Sequence, residues 1–328
     1  MTGNDAKADA RHGLHPVAWL LWATAGTLAV ATTRNPLYLA LVLLCAGGAY
    51  RVARAAETDG VDGGMGQAAQ AARWALIVRV VVSLLGVSLA FNVLTVHAGD
   101  RVFARLPGDV PLIGGLIGGS LTANALVYGL LAGLATLTLI LTFAAVNAAV
   151  GYADLLRLLP APLAGLGVTL TVALGFLPQT LAALVEVREA MAVRGLPPAR
   201  GLRDLPPLVL PVLALGLERA VTLAETMAAR GFGMPAAPGA RPARTRRTAY
   251  RALRWTPLDS VTAVGAACSA AGIIVGAFAG DALMYYPYPA LLPPPFAPAV
   301  AAALAPLLLP ALLTPYAVAT GETGEVAV

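Results

Sequence analysis

The chain has 328 residues, of which 58% are hydrophobic and 12% charged, with a formal net charge of +5 and a mean hydropathy of +0.76. Water-soluble domains carry about 25% charged residues, so this chain has too few polar side chains to cover a water-facing surface and is excluded from that class. Lipid must be the solvent for much of it, and the number of membrane spans becomes the count that organises it.

The first fourteen residues are polar and lead into apolar sequence without a cleavage-site pattern, so no removable signal segment is expected. Apolar runs suited to a hydrocarbon core of about 30 Å follow at 16-32, 36-50, 74-96, 121-150, 259-281 and 296-318, which gives six expected spans. The first two are joined by Thr33, Arg34, Asn35 and Pro36, a charged turn with a helix-stopping proline that reads as a tight hairpin. Between 52 and 72 a Gly/Ala segment with Glu57, Asp59 and Asp62 reads as a solvated loop. The stretch 97-120 holds Asp100, Arg101, Arg105 and Asp109, then the run IGGLIGGS, and reads as a short loop of near-zero net charge whose glycines serve packing or turning.

Residues 151-258 differ from their surroundings. From Glu186 to Arg254 there are twelve arginines and five acids, a net charge of +7. The positive-inside rule places this segment in the cytoplasm and the neutral 97-120 loop on the far side, and counting spans back puts the N-terminus inside as well. The expected organisation is a cytoplasmic tail at 1-15, a four-span bundle at 16-150, a cytoplasmic helical region at 151-258, a transmembrane hairpin at 259-320 and a tail at 321-328. Prolines at 160, 162, 178, 197, 198, 206, 207 and 211 predict three short helices in the basic region, near 162-176, 179-194 and 208-230. The last hairpin turns outside through MYYPYPALLPPP, where Tyr285, Tyr286 and Tyr288 suit a membrane interface.

Catalytic and ligand chemistry has little to stand on. Cys45 and Cys268 sit alone in apolar runs and read as small core hydrophobes. His12, His15 and His97 form no metal-ligand spacing, and Lys7 is the only lysine, so no P-loop is present and no cofactor is expected. Arg79, near the start of the third span, reads as a side chain that reaches back to the interface. The basic run 241-254 can be a topogenic flank, a patch for anionic lipid or an RNA-binding segment, and its place beside a span favours the first two.

The most specific signal is an internal repeat. At an offset of 36, Leu177, Leu181, Val185, Glu189, Met191, Ala192, Arg194 and Gly195 recur as Leu213, Leu217, Val221, Glu225, Met227, Ala228, Arg230 and Gly231, eight matches in nineteen positions. Both copies end in E-x-M-A-x-R-G, which implies two similar helices doing the same job. Ala183, Val187, Ala190 and Arg194 fall at steps of 4, 3 and 4, so a face of small side chains ends in a guanidinium. Glycine directly after each arginine fits the left-handed C-terminal cap, which stops the helix and holds the arginine at its last turn as a fork able to pair with a carboxylate. Capping alone would need only the last two residues of each copy.

On these residues the chain resembles the transmembrane T component of energy-coupling factor (ECF) transporters, the EcfT/CbiQ type, over roughly residues 20-315. The likeness rests on the Asn35-Pro36 turn, the Leu121-Thr122-Ala123 entry to the fourth span, the Leu159-Pro160 pair and the two R-G helix ends. Ala229-Arg230-Gly231 matches the family's A-R-G triplet fully, whereas Val193-Arg194-Gly195 departs at its alanine but keeps the arginine. The resemblance implies an all-α polytopic membrane protein with about six transmembrane helices and a cytoplasmic α-helical coupling region. It further implies that Glu189, Ala190, Arg194 and Gly195, with Glu225, Ala229, Arg230 and Gly231, dock on two cytoplasmic ABC ATPase subunits. Leu177, Leu181, Leu184, Leu213, Leu217 and Met227 would grip a small substrate-binding membrane subunit. Such a chain is a non-catalytic coupling subunit in the plasma membrane, serving uptake of a vitamin or a transition-metal ion, with no nucleic-acid partner. Two other readings stay open. EAMAVRGLPPARGLRDLP approaches the E-A-A-x-x-x-G loop of conventional ABC importer permeases, though a permease needs one such loop and this chain has two copies of its start. An intramembrane enzyme would need paired carboxylates or histidines within the spans, and the expected spans contain none.

Overall fold

The computed structural model describes residues 14–58, 64–106, 119–160, 163–195, 206–232, 255–279 and 283–323. The chain divides into two compact units, residues 1–151 with 253–328, and residues 152–252. Unit one contains α1 (Pro16–Thr32), α2 (Pro36–Thr58), α3 (Gly64–Thr95), β1 (Val102–Leu106), β2 (Gly119–Thr122), α4 (Ala123–Ala149), α8 (Pro257–Ala279), α9 (Pro298–Leu304), a 3-10 turn (Ala305–Leu308) and α10 (Leu309–Thr323). Unit two contains α5 (Tyr152–Arg157), α6 (Ala164–Val193) and α7 (Pro206–Ala229).

Local chemistry sets the helix starts. Pro16, Pro36, Pro257 and Pro298 each open a helix, where a missing N–H costs nothing. Asn35 Oδ1 accepts from the Leu37 amide at 3.0 Å, and Thr122 Oγ1 accepts from Ala125 at 3.3 Å. Thr256 and Asp259 form a reciprocal capping box: the Asp259 carboxyl accepts from the Thr256 amide at 2.7 Å while Thr256 Oγ1 accepts from the Asp259 amide at 3.3 Å. The second carboxyl oxygen of this buried Asp259 accepts from the His15 amide at 2.6 Å, tying the start of α1 to the start of α8. The Trp255 ring, 4.9 Å from that of His15, lies over the same junction.

The core of unit one collects Trp19, Trp22, Tyr38, Leu39, Ile273 and Leu307, all buried. Trp22 donates from Nε1 to the Leu307 carbonyl at 2.8 Å, so the indole satisfies its polar edge on the proline-interrupted last hairpin. Helices approach closely where glycine lines the interface. In α4, Gly129 and Gly133 stand four apart against Ser88, Leu89 and Leu85 of α3, and in α8 a Cβ added at Gly272 would lie 2.6 Å from that of Ala303. Buried threonines return their hydroxyls to the preceding turn, as Thr138 does to Leu134 at 2.8 Å and Thr314 to Pro310 at 2.6 Å. At the end away from Asp259, the 283–297 loop is pinned by Thr33 to Leu283, Asn124 to Pro287, Asn35 to Pro295 and the paired Tyr38 and Ala297. Asp100 donates from its amide to Pro289 there, so the two loops expected on one side of the membrane share one end of this unit. Burial raises the Tyr288 hydroxyl above the usual tyrosine range, with Tyr286 and Tyr128 beside it adding to the effect.

Several expectations are corrected. The 52–72 loop is largely helical, because α2 runs on to Thr58 and α3 begins at Gly64; alanine-rich sequence favours extension of both. Glu57 is therefore helical, whereas Asp59 and Asp62 lie outside the described residues. The 97–120 loop contains a two-stranded antiparallel ribbon, β1 with β2, while most of the IGGLIGGS run lies outside the described residues. Cys45 is buried, but Cys268 is exposed, since the buried stripe of α8 runs through Thr262, Ala266, Ser269 and Ile273 and leaves position 268 on the other face. Arg79 is exposed and is the second residue of the apolar stretch Val78–Thr95.

Unit two holds two long helices where three short ones were expected. α6 is a continuous 30-residue helix through Pro178, which removes one backbone bond, to Leu174, while the turns on either side persist. Among the described residues seven helical stretches are long and apolar enough to cross a membrane, and α6 and α7 are among them. The 17-residue α1 is shorter, at the lower limit for a span.

Candidate functional site

α6 and α7 pack against each other, and α5, with its Arg157–Asp154 ion pair of 3.0 Å, packs against α6. The ends of the two long helices are built alike. After α6, the Gly195 amide donates to Ala192 at 3.0 Å and Gly195 has φ +72°. After α7, Gly231 has φ +75°, its amide donates to Ala228 at 2.9 Å, and the Phe232 amide donates back to Met227 at 3.0 Å. This pair of bonds is a Schellman cap, which side-chain-bearing residues reach only with strain at the glycine position. Each cap fixes an arginine at the last turn. Arg194 and Arg230 are exposed, and neither has an ion pair or side-chain hydrogen bond among the described residues.

The remaining expected site residues separate by helical face. At about 100° per residue, Ala183, Ala190 and Arg194 share the face of α6 that carries Val172, Phe176 and Gln179. Leu177, Leu181 and Leu184 fall on the opposite face. On α7, Arg230 and Ala229 share the face of Leu215, Arg219 and Thr226, with Leu213 and Leu217 opposite. Leu181 is 56% exposed and Leu217 68%, values far too high for a self-sufficient core. Leu184 and Met227 are half-buried; Glu189, Ala190, Glu225 and Ala229 are exposed. The structure thus groups the arginines with the inner faces and the leucines with the outer ones, and it joins neither glutamate to its arginine.

Between the inner faces lies a groove of about 670 Å³ lined by Val172, Phe176 and Gln179 of α6 and by Leu215, Glu218 and Arg219 of α7, among others. Sequence reading passed over Glu218 and Arg219. The one signal for them was a departure from the repeat, because the matching positions in the first copy are Ala182 and Ala183. The basic run 241–254 lies outside the described residues. Among the described residues no three His, Cys, Asp or Glu side chains gather as a metal site requires.

The fold and its apolar helices define an all-α, multi-pass membrane protein. Comparison of the chain with protein-family models and with curated proteins finds no match.

Proposed function

We propose that the chain is the transmembrane coupling subunit of an ECF-type ABC importer, linking ATP hydrolysis by two partner ATPases to movement of a small substrate-binding membrane subunit. The observation that carries this reading is the duplicated helix end: two left-handed glycine caps, each holding an exposed arginine without a partner among the described residues. The cap fixes the backbone beneath each arginine, and the planar guanidinium offers a fork of donors to a carboxylate on a docking protein. The outer leucine faces support a second interface, since large apolar side chains left exposed in a row call for cover by protein or lipid. Length and hydropathy alone admit α6 and α7 as spans; in this reading they lie on the cytoplasmic side and a protein partner covers them. The N-terminus is also cytoplasmic, the membrane is the plasma membrane, and the cargo is a vitamin or transition-metal ion held by the other membrane subunit. The chain itself is non-catalytic and carries no cofactor.

Purification of the tagged chain in mild detergent, with identification of its companions, tests the reading. Two ATPases and a small apolar protein are expected. A soluble substrate-binding protein would instead mark a conventional permease, the reading that the second E-x-M-A-x-R-G copy disfavours.

A further inference from the structure

Three polar atoms gather at the end of unit one away from Asp259. Asn124 Oδ1, His97 Nε2 and the Tyr288 hydroxyl are all buried, and none has a hydrogen-bond partner among the described residues. They come from three segments that the fold brings together. Asn124, 0% exposed at the start of α4, donates both amide hydrogens to the 283–297 loop, to Pro287 at 2.6 Å and to Pro289 at 3.1 Å. Tyr288 lies between those two acceptors in the chain, and its ring packs on Tyr128, one turn further along α4, at 6.0 Å between centroids. The 97–100 segment closes the third side. Asp100 donates from its amide to the same Pro289 carbonyl at 3.2 Å, and Ser120 and Thr122 donate to the His97 and Ala98 carbonyls.

The chemistry of these atoms narrows what answers them. Two carbonyl acceptors on Nδ2 fix which way the Asn124 amide points, so Oδ1 can only accept. The His97 nitrogen accepts or donates according to tautomer, and a phenol does both. An occupant must therefore donate to Asn124 and adapt to the other two. An anion cannot donate. A metal cation or an ammonium group would bring a charge with no acid to balance it, because Asp259, at the opposite end, is the only buried acid among the described residues. Gly99, with φ +135°, leaves the oxygen accessible, since an added Cβ would lie 2.9 Å from Oδ1. We infer that an ordered water molecule binds here, donating to Asn124 Oδ1 and bridging it to His97 Nε2 and the Tyr288 hydroxyl. About three hydrogen bonds is the usual complement of a buried water. The 97–100 segment, the start of α4 and the 283–297 loop then share one ligand, which adds a polar tie where Pro287, Pro289 and Pro293 offer no N–H. The site belongs to unit one alone and stands whether or not the coupling reading does.

The test is a thermal melt of the full chain in detergent with Tyr288→Phe, His97→Phe and the double variant, joined to a structure at a resolution that shows ordered water. Tyr288→Phe removes one oxygen and nothing else. If that oxygen holds the water, Tm falls by about 2–4 °C; if it is bare, its loss leaves Tm unchanged or raises it, which overturns the inference. His97→Phe should lower Tm as well, and the double variant should lose less than the sum, because both changes release the same molecule. Additive losses would overturn the shared bridge. The expected density is a compact peak within hydrogen-bond distance of Asn124 Oδ1 and of both other atoms. No peak, a peak touching Asn124 alone or an elongated one from a larger molecule would overturn the assignment. Where His97→Phe does not fold, the hydroxyl deletion and the density decide.

Discussion

The two units solve the problem of apolar surface in different ways. In unit one, 44% of the Pro36–Ala55 and Ala123–Ala149 stretches is buried within the chain, by tryptophans, by glycine-lined helix packing and by a loop that ties several helices together. In unit two the corresponding share is 6% for both Gly165–Val193 and Pro206–Ala229, although their composition is almost as apolar. The difference teaches that apolar content alone does not tell how much of a helix the chain itself buries. α3 marks the boundary of the rule: its apolar stretch Val78–Thr95 has 0% buried, yet it meets α4 through glycine and a Ser88 hydroxyl on the Gly129 carbonyl. α6 and α7 combine exposed leucines with capped, charged ends.

If this contrast is right, substitutions in unit two should break assembly and spare stability, whereas those in unit one should do the reverse. The largest effect is expected from Arg194→Glu with Arg230→Glu. Removing one partner of a charge-assisted hydrogen bond at a buried interface costs about 2–5 kcal/mol, so ATPase association should disappear in pull-down while membrane insertion is retained. Next comes Gly272→Val, which forces α8 away from Ala303 and should cost about 1–3 kcal/mol, read as a lower Tm in detergent with partner binding per folded chain unchanged. Asp259→Ala removes the capping box and the acceptor of the His15 amide, and should cost about 1–2 kcal/mol in the same assay. The smallest stability change belongs to Leu213→Ser with Leu217→Ser, within about 0.5 kcal/mol per exposed site; recovery of the small membrane partner should nevertheless fall. A large drop in Tm for this last variant would show that unit two has a core of its own and would dissolve the comparison.

Much of unit one was legible because its signals are local: a proline at the first helical turn, a side-chain acceptor such as Asn35 just before it, and an apolar run of sufficient length. The two caps were legible for a stronger reason, since a residue after a helix that must adopt positive φ is most easily glycine, and Gly195 and Gly231 do adopt it. What was missed depends on surroundings that sequence does not carry. Pro178 looks like a break, but it removes only the one backbone bond to Leu174 and the helix continues on both sides. Cys268 looks like core by composition and is turned outward by its phase relative to Ile273. Glu218 and Arg219 become a feature only when α7 lies beside α6, and the repeat hinted at them solely by failing to match there.

The tie between Asp259 and the His15 amide spans 244 positions, and that between Trp22 and Leu307 spans 285. At about 5–20 residues per second, roughly 12–50 s of synthesis separate His15 from the carboxyl group that completes its surroundings. Throughout that interval the first helix has polar groups waiting for partners the ribosome has not yet made. The final hairpin is therefore the keystone of biogenesis, and nascent chains halted before α8 should remain dependent on the insertion machinery until it arrives.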